Sequence, residues 1–447
     1  MPSHTSRTVL AAAFVTVLAA GSAGLWAEPA PASLTVEEAV AAALRNNLTV
    51  RAAATEERAR KAESDLSFNR FYPTVSVSGS VVQLNQPSTV LVPTPTGGVF
   101  PYTPSPTNLA LNMSIQEVFS PTYLVLIKED ALSYRDSSID RTQAQRQITA
   151  AVKKTFYQLQ AQKETIALTR SRLEKAQERL RQAQVSYQLG QSSELNYVYA
   201  NENVQGIMPA LRSLETSYQA MLTQFEQILG FDTRLDMELA GSLDVGDVTP
   251  DRWTGRESER LDVRKAAIGV EQIETGLNAE STVLLPTIIL QYKADPALNN
   301  PASTSIWQGS NWMQSMGGVY LTLSWDLSPL LPGSDYWVKL GRYNDQLALA
   351  RATAADTMRK ARDDTEDQKR AISASIANID NLQRSLESAR RAYDLTDISY
   401  RAGAGRLLDL QDAELAWQSA QVQLLSEKLK LASLAYDWDA KYAPAPQ

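Results

Sequence analysis

The sequence has 447 residues, a formal net charge of -7 and an isoelectric point near 5.1, with no cysteine and a single histidine, His4. This excludes a disulfide framework and a Cys or His nucleophile, and it restricts any metal site to oxygen ligands. It also gives no electrostatic basis for binding nucleic acid, which depends on neutralising phosphates with Lys and Arg.

In chain order, the first element is an apolar stretch from Val9 to Ala20 behind Arg7, followed by small residues up to Ala27. This is the layout of a secretory signal peptide, assigned to residues 1–27. No cysteine follows it, so an N-terminal lipidated cysteine is not expected. Downstream, no run of about 18 apolar residues offers a transmembrane helix, so membrane contact would have to come from strands.

The rest of the chain divides into two copies of one unit. Leu48, Val50, Arg51, Ala53, Ala54, Pro73 and Thr74 recur 213 positions later as Leu261, Val263, Arg264, Ala266, Ala267, Pro286 and Thr287. At the far end of the unit, Ser186, Tyr187, Gly190, Leu195, Ala200 and Gln205 recur at the same offset as Ser399, Tyr400, Gly403, Leu408, Ala413 and Gln418. One offset held at both ends indicates two structural repeats. Their expected limits are residues 28–240 and 258–440, with a linker over 241–257 and a tail over 441–447.

Each repeat opens with a charged, Ala-rich helix, expected over Val36–Phe68 and Ser258–Thr282. A proline then leads into a strand of period two, in which Val75, Val77, Gly79 and Val81 alternate with serines. The second repeat has Pro286–Tyr292 in the same place. Irregular loops are expected over 84–107 and 294–317, each followed by a return strand around Leu109–Ile115 and Val319–Trp325. Aromatic residues near the strand ends, Phe71, Tyr72, Tyr320 and Trp325, suit membrane interfaces. An ordinary soluble sheet with one wet face accounts for the alternation equally well.

Two very long helices follow, expected over Pro121–Leu189 and Tyr336–Ala402, with apolar residues at coiled-coil spacing such as Leu173, Ala176, Leu180 and Ile372, Ile376, Ile379. Gly190 and Gly403 end them, and returning helices are expected over Glu194–Leu229 and Leu407–Trp438, the first kinked at Pro209. Four strands cannot close a barrel, and an open sheet edge cannot face lipid, so such a subunit must associate.

This order of elements, from Ser33-Leu34-Thr35-Val36-Glu37-Glu38-Ala39 to Ala440, resembles the TolC-like outer-membrane efflux proteins. The resemblance implies an α/β membrane protein forming a homotrimer. Four strands per subunit would close a trimeric 12-stranded β-barrel in outer-membrane lipid, continued by a long α-helical periplasmic tunnel. It implies a passive duct, neither an enzyme nor a cofactor protein, that meets a periplasmic adaptor (membrane fusion) protein and an inner-membrane transporter. It places Tyr187, Gly190, Asn196, Tyr400, Gly403 and Arg406 at the periplasmic tip, and makes Asp409 and Asp412 lumen gate carboxylates. At a helix N terminus, acids are also favoured simply by the dipole.

The first repeat departs from that pattern, with Asn196 and Tyr199 where the second has Asp409 and Asp412. The acid that the family uses to hold the tip shut is therefore replaced, and an Asn196 to Tyr400 latch would be a neutral hydrogen bond. Arg406 falls one residue later than the family's tip arginine, behind Gly405, which reads as added flexibility. The competing readings are a periplasmic coiled-coil protein without a pore and an envelope hydrolase using paired carboxylates. The latter has no cleft apparent around Asp409 and Asp412.

Overall fold

A computed structural model describes residues 33–86, 88–93, 97–103, 105–231, 238–240, 257–299, 301, 303–313 and 317–442. The expected signal peptide, the 241–256 part of the linker and the tail beyond 442 lie outside the described residues.

The chain opens with β1 (Ser33–Leu34), paired in parallel with β6 (Glu238–Leu239). Thr35 then starts α1 (Val36–Asn46) through a capping box, its hydroxyl accepting from Glu38 N–H while Glu38 accepts from Thr35 N–H. The single helix expected over Val36–Phe68 is in fact broken, because Asn47 caps a second helix, α2 (Leu48–Asp65). The buried Asn47 side chain accepts from Thr49 N–H and donates to the Ile228 carbonyl, so a partner 181 residues away fixes the break.

The largest sheet has the order β2 (Thr74–Gln83), β5 (Thr107–Phe119), β7 (Thr287–Ala294), β9 (Gly318–Ser324), all antiparallel. Two expectations about its loops are corrected. In the first, β3 (Val90–Pro93) pairs with β4 (Val99–Tyr102) instead of staying irregular. In the second, β8 (Ala297–Asn299) pairs with the same β5 as β7 does. It therefore continues that strand past Pro296, whose carbonyl accepts from Leu111 N–H.

The register sorts the sheet into two unlike faces. Val75, Val77 and Val81 pair with Ile115, Met113 and Leu109, and Phe119, Ile115 and Met113 in turn with Ile288, Tyr292 and Ala294. Ile288, Leu290 and Tyr292 then pair with Leu323, Leu321 and Val319. The opposite face carries Ser76, Ser78, Ser80, Asn112, Ser114, Gln116, Gln291, Thr322 and Ser324. Tyr320 pairs with Gln291 in mid-strand on this polar face, so it is not an interface aromatic as its place in the sequence suggested. Ten residues of β2 at about 3.3 Å each, tilted by roughly 40°, give a band about 25 Å tall.

From the sheet run α3 (Thr122–Gln188) and α6 (Asp335–Arg401), each of 67 residues and so about 100 Å long. They return as α4 (Glu194–Leu229) and α7 (Leu407–Tyr442), each of 36 residues. α4 runs on through Pro209 as one helix. α5 (Leu261–Ser281) packs along α6 as α2 packs along α3. The starts of α6 and α7 lie 213 residues beyond those of α3 and α4, the offset of the sequence repeat.

The core is spread along this length in separate clusters. The largest joins Leu34, Ala39, Val152, Phe156, Leu159, Phe225 and Leu229 where α1 meets α3 and α4. Others form around Ile372, Leu431, Ala435 and Trp438, and around Ala176, Val204 and Ile207. The chain exposes 29496 Å². A compact monomer of this mass exposes only about 17,000 Å².

Candidate functional site at the helical tip

Both hairpins end in the same turn. Gly190 has φ +71° and Gly403 φ +75°, a left-handed conformation in which a Cβ is strained. Gly190 N–H donates to the Tyr187 carbonyl and Gln191 N–H to that of Ser186. Gly403 and Ala404 repeat this toward Tyr400 and Ser399. Gly405 is not the flexible addition it seemed: a Cβ there would lie 2.9 Å from Tyr400 N and 3.1 Å from Ser399 Oγ, so close backbone approach requires glycine.

The side chains on these turns differ. Tyr187 stacks on Tyr197 of its own hairpin at 6.1 Å. Asn196 donates to Ser192 Oγ at 3.0 Å, so within one subunit its partner is its own turn and not Tyr400. On the second hairpin, Leu407, Leu410 and Glu414 are buried while Asp409 and Asp412 are exposed, three residues apart on α7. Neither aspartate forms a hydrogen bond or ion pair among the described residues, and Arg406 likewise holds no side-chain partner there.

Just above the tip lies a set of contacts that sequence reading missed. Arg179 of α3 pairs with Glu414 of α7, side chains 13% and 7% exposed. Arg172 donates to Gln418 Oε1 at 3.1 Å. Lys175 sits 5.8 Å and 5.9 Å from the rings of Tyr393 and Trp417, which stack at 5.0 Å. Residues 172, 175 and 179 share one helix face, so the three contacts form a clasp between the hairpins. Burial pushes the Arg172 guanidinium below its ordinary pKa, and burial, aided by Glu414, pushes the Tyr393 phenol above its own. The recurrence of Gln205 at Gln418 was the one visible signal, and it named no partner.

A second network sits midway along α6, at the C-terminal end of α7. The buried Arg260 binds Asp262, Asp364 and the Ala361 carbonyl, and Lys441 shares Asp364. Burial alone would raise both aspartates, but hydrogen bonds from Arg260, and from Lys441 for Asp364, hold them below the usual carboxylate range.

Comparison with known proteins bears on this geometry. The sequence pattern of the outer membrane efflux protein family matches residues 39–231 and again 257–434. The chain belongs to the outer membrane efflux protein family. The two matches fall on the two structural repeats, so the family unit itself is duplicated here. Similar folds include the CmeC outer membrane channel of Campylobacter jejuni, with TM-score 0.74 and 15% identity over 91% of this chain and 84% of that one. The open state of the MtrE outer membrane channel of Neisseria gonorrhoeae gives 0.72 and 15%, over 91% and 88%. A membrane protein from Pseudomonas aeruginosa gives 0.71 and 15%, over 91% and 89%. No curated protein sequence matches the chain significantly. As a member of this family the chain is an outer-membrane efflux protein. Among the described residues no helix is long and apolar enough to cross a membrane.

Proposed function

We propose that three copies of this chain close a twelve-stranded barrel, β9 of each subunit pairing with β2 of the next, and that the resulting tube is a passive exit duct. The observation that carries this reading is the register. The strands put most of their apolar residues on one face and most of their polar residues on the other, with Glu117 on the apolar face and Val82, Val118 and Ile289 on the polar one, while both outer strands keep a free edge. An open edge in lipid leaves backbone groups unpaired, and ring closure removes it. The 29496 Å² exposed by one subunit is consistent with extensive burial on assembly.

The helical tips then close the periplasmic end and meet an adaptor protein and an inner-membrane pump. Asp409 and Asp412, two per subunit, supply six carboxylates around the axis at that end. Crowded like charges attract cations, so the ring favours cation passage and is blocked by multivalent cations. An Asn196 to Tyr400 latch, absent within one subunit, joins neighbouring subunits if it forms. Cargo is selected by the pump, and the chain performs no chemistry.

Planar-bilayer recording tests the reading. The purified protein gives cation-selective steps blocked from the periplasmic side by divalent ions. Asp409→Ala with Asp412→Ala removes both the selectivity and the block, and Tyr400→Phe raises resting conductance. An absence of steps in the wild type refutes the duct.

A further inference from the structure

From the wall of the barrel just below the membrane, we infer that each subunit holds one zwitterionic phospholipid of the periplasmic leaflet, its acyl chain in an apolar cavity and its headgroup at Arg70 and Asp130. This rests on the outer-membrane placement of the sheet, and it concerns the outer wall, away from lumen and tip.

The apolar cavity has a volume of about 320 Å³ and is lined by Phe71, Phe119, Pro121, Leu124, Pro286 and Ile288. Phe119 and Ile288 are register partners on the apolar face of the sheet, at the end where the strands pass into helices. The cavity therefore continues the lipid-facing surface at its periplasmic rim. It lies at the ends of the central strands β5 and β7, with Phe71, just ahead of β2, on its other side. Leu124 is 65% exposed at its mouth. Its volume falls at the lower end of the range for ligand sites, which is roughly 300 to 1,000 Å³.

A second cavity of about 490 Å³ follows on the helical side, lined by Ala62, Glu63, Leu66, Ser67, Asn69, Arg70 and Asp130. The two are contiguous along the chain, since Phe71 lines one and Arg70 the other, and Phe71 packs edge-on against Tyr123 of α3 at 5.5 Å. Leu124 and Asp130 are six residues apart on α3, about 9 Å by helix rise. An apolar slot beside one that holds the Arg70 and Asp130 ion pair, at that spacing, matches a tail and its headgroup.

The charges specify which headgroup. Arg70 donates one Nη2 bond to Asp130 at 2.8 Å, and its side chain remains 36% exposed, so further guanidinium donors can meet a phosphate. Asp130 accepts that bond through one oxygen, and Glu63 is paired with Arg60. With Arg60 on Glu63 and Arg70 on Asp130 the local charges balance, and the spare guanidinium donors beside the second Asp130 oxygen suit a phosphate carrying an ammonium, as in phosphatidylethanolamine.

The test is native mass spectrometry of the full-length channel, released from detergent after titration with phosphatidylethanolamine or, separately, phosphatidylglycerol. The expected result is one phosphatidylethanolamine retained per subunit, with phosphatidylglycerol retained more weakly. Leu124→Asp, at an exposed position outside the core, abolishes retention, and Arg70→Gln weakens it by about tenfold, the loss of one charge-assisted bond. Equal retention by wild type and Leu124→Asp, or no retention by wild type, overturns the site. Phosphatidylglycerol held as firmly as phosphatidylethanolamine overturns the headgroup assignment. Conductance recorded on the wild-type samples separates the two readings: no lipid retained with intact conductance refutes the lipid site alone, and absent conductance with lipid retained refutes the duct alone.

Discussion

The two hairpin tips share a backbone and differ in chemistry. Gly190 and Gly403 turn the chain with the same left-handed φ and the same pair of carbonyl contacts, yet the residues that follow are Asn196 and Tyr199 in one and Asp409 and Asp412 in the other. The first tip satisfies itself, with Tyr187 on Tyr197 and Asn196 on Ser192. The second leaves two carboxylates unpartnered on an exposed face. Duplication thus supplied the scaffold twice, and divergence at two positions allocated charge to one copy.

The same contrast between shared scaffold and unlike surface runs through the sheet, and there it can be broken with the largest effect. Val77→Arg on the apolar face should cost about 2 to 4 kcal/mol of membrane stability, as arginine does near the bilayer midplane. Ser78→Arg, one residue along on the polar face, should leave assembly intact. Heat stability of the assembled protein in detergent and in liposomes checks this, and equal loss from both would mean the faces are misassigned.

Removing one partner of the Arg179 and Glu414 pair should cost about 3 kcal/mol, because the other charge is left buried and alone. The double variant with two apolar residues should recover most of it. Hydrogen exchange along α3 and α7 reads the result, with slow exchange near the tip in wild type becoming fast in either single variant. Unchanged protection in both would show that the hairpins are not clasped there.

Among the glycines, Gly190→Ala and Gly403→Ala should each cost about 1 kcal/mol for a Cβ at positive φ. Gly405→Ala should cost more, because its Cβ would meet backbone at 2.9 Å. Denaturant midpoints of the three variants rank them.

The smallest effect concerns pH at the Arg260 network. Asp262 and Asp364 have folded pKa values below their unfolded ones, so their stabilisation is full above the unfolded carboxylate range and is lost as pH falls through the folded values. Helical circular dichroism on acid titration should show a transition that Arg260→Gln moves toward neutral pH. An identical curve would remove the network from the account.

What could be read from the sequence was whatever depends on local pattern. The absence of internal proline gave α3 and α6 to within one residue at each end, and glycine placed both turns. Strand alternation gave the two faces. What could not be read depends on residues far apart in sequence. The break at Asn47 needs the Ile228 carbonyl, 181 residues on. The Arg179 and Glu414 pair spans 235 residues. The continuation of β7 into β8 across Pro296 needs β5 as its partner, and proline by itself signals an end. Tyr320 was misplaced because sequence position does not fix register.

The central claim is that charge divergence between the tips makes the gate, and the most direct measurement is the reversal potential of the reconstituted channel in a salt gradient. Wild type should be cation-selective. Asp409→Asn with Asp412→Asn, which keeps size and helix, should lose that preference, and adding Asn196→Asp with Tyr199→Asp to that variant should restore it from the other hairpin. Selectivity unchanged in the first variant would contradict the account.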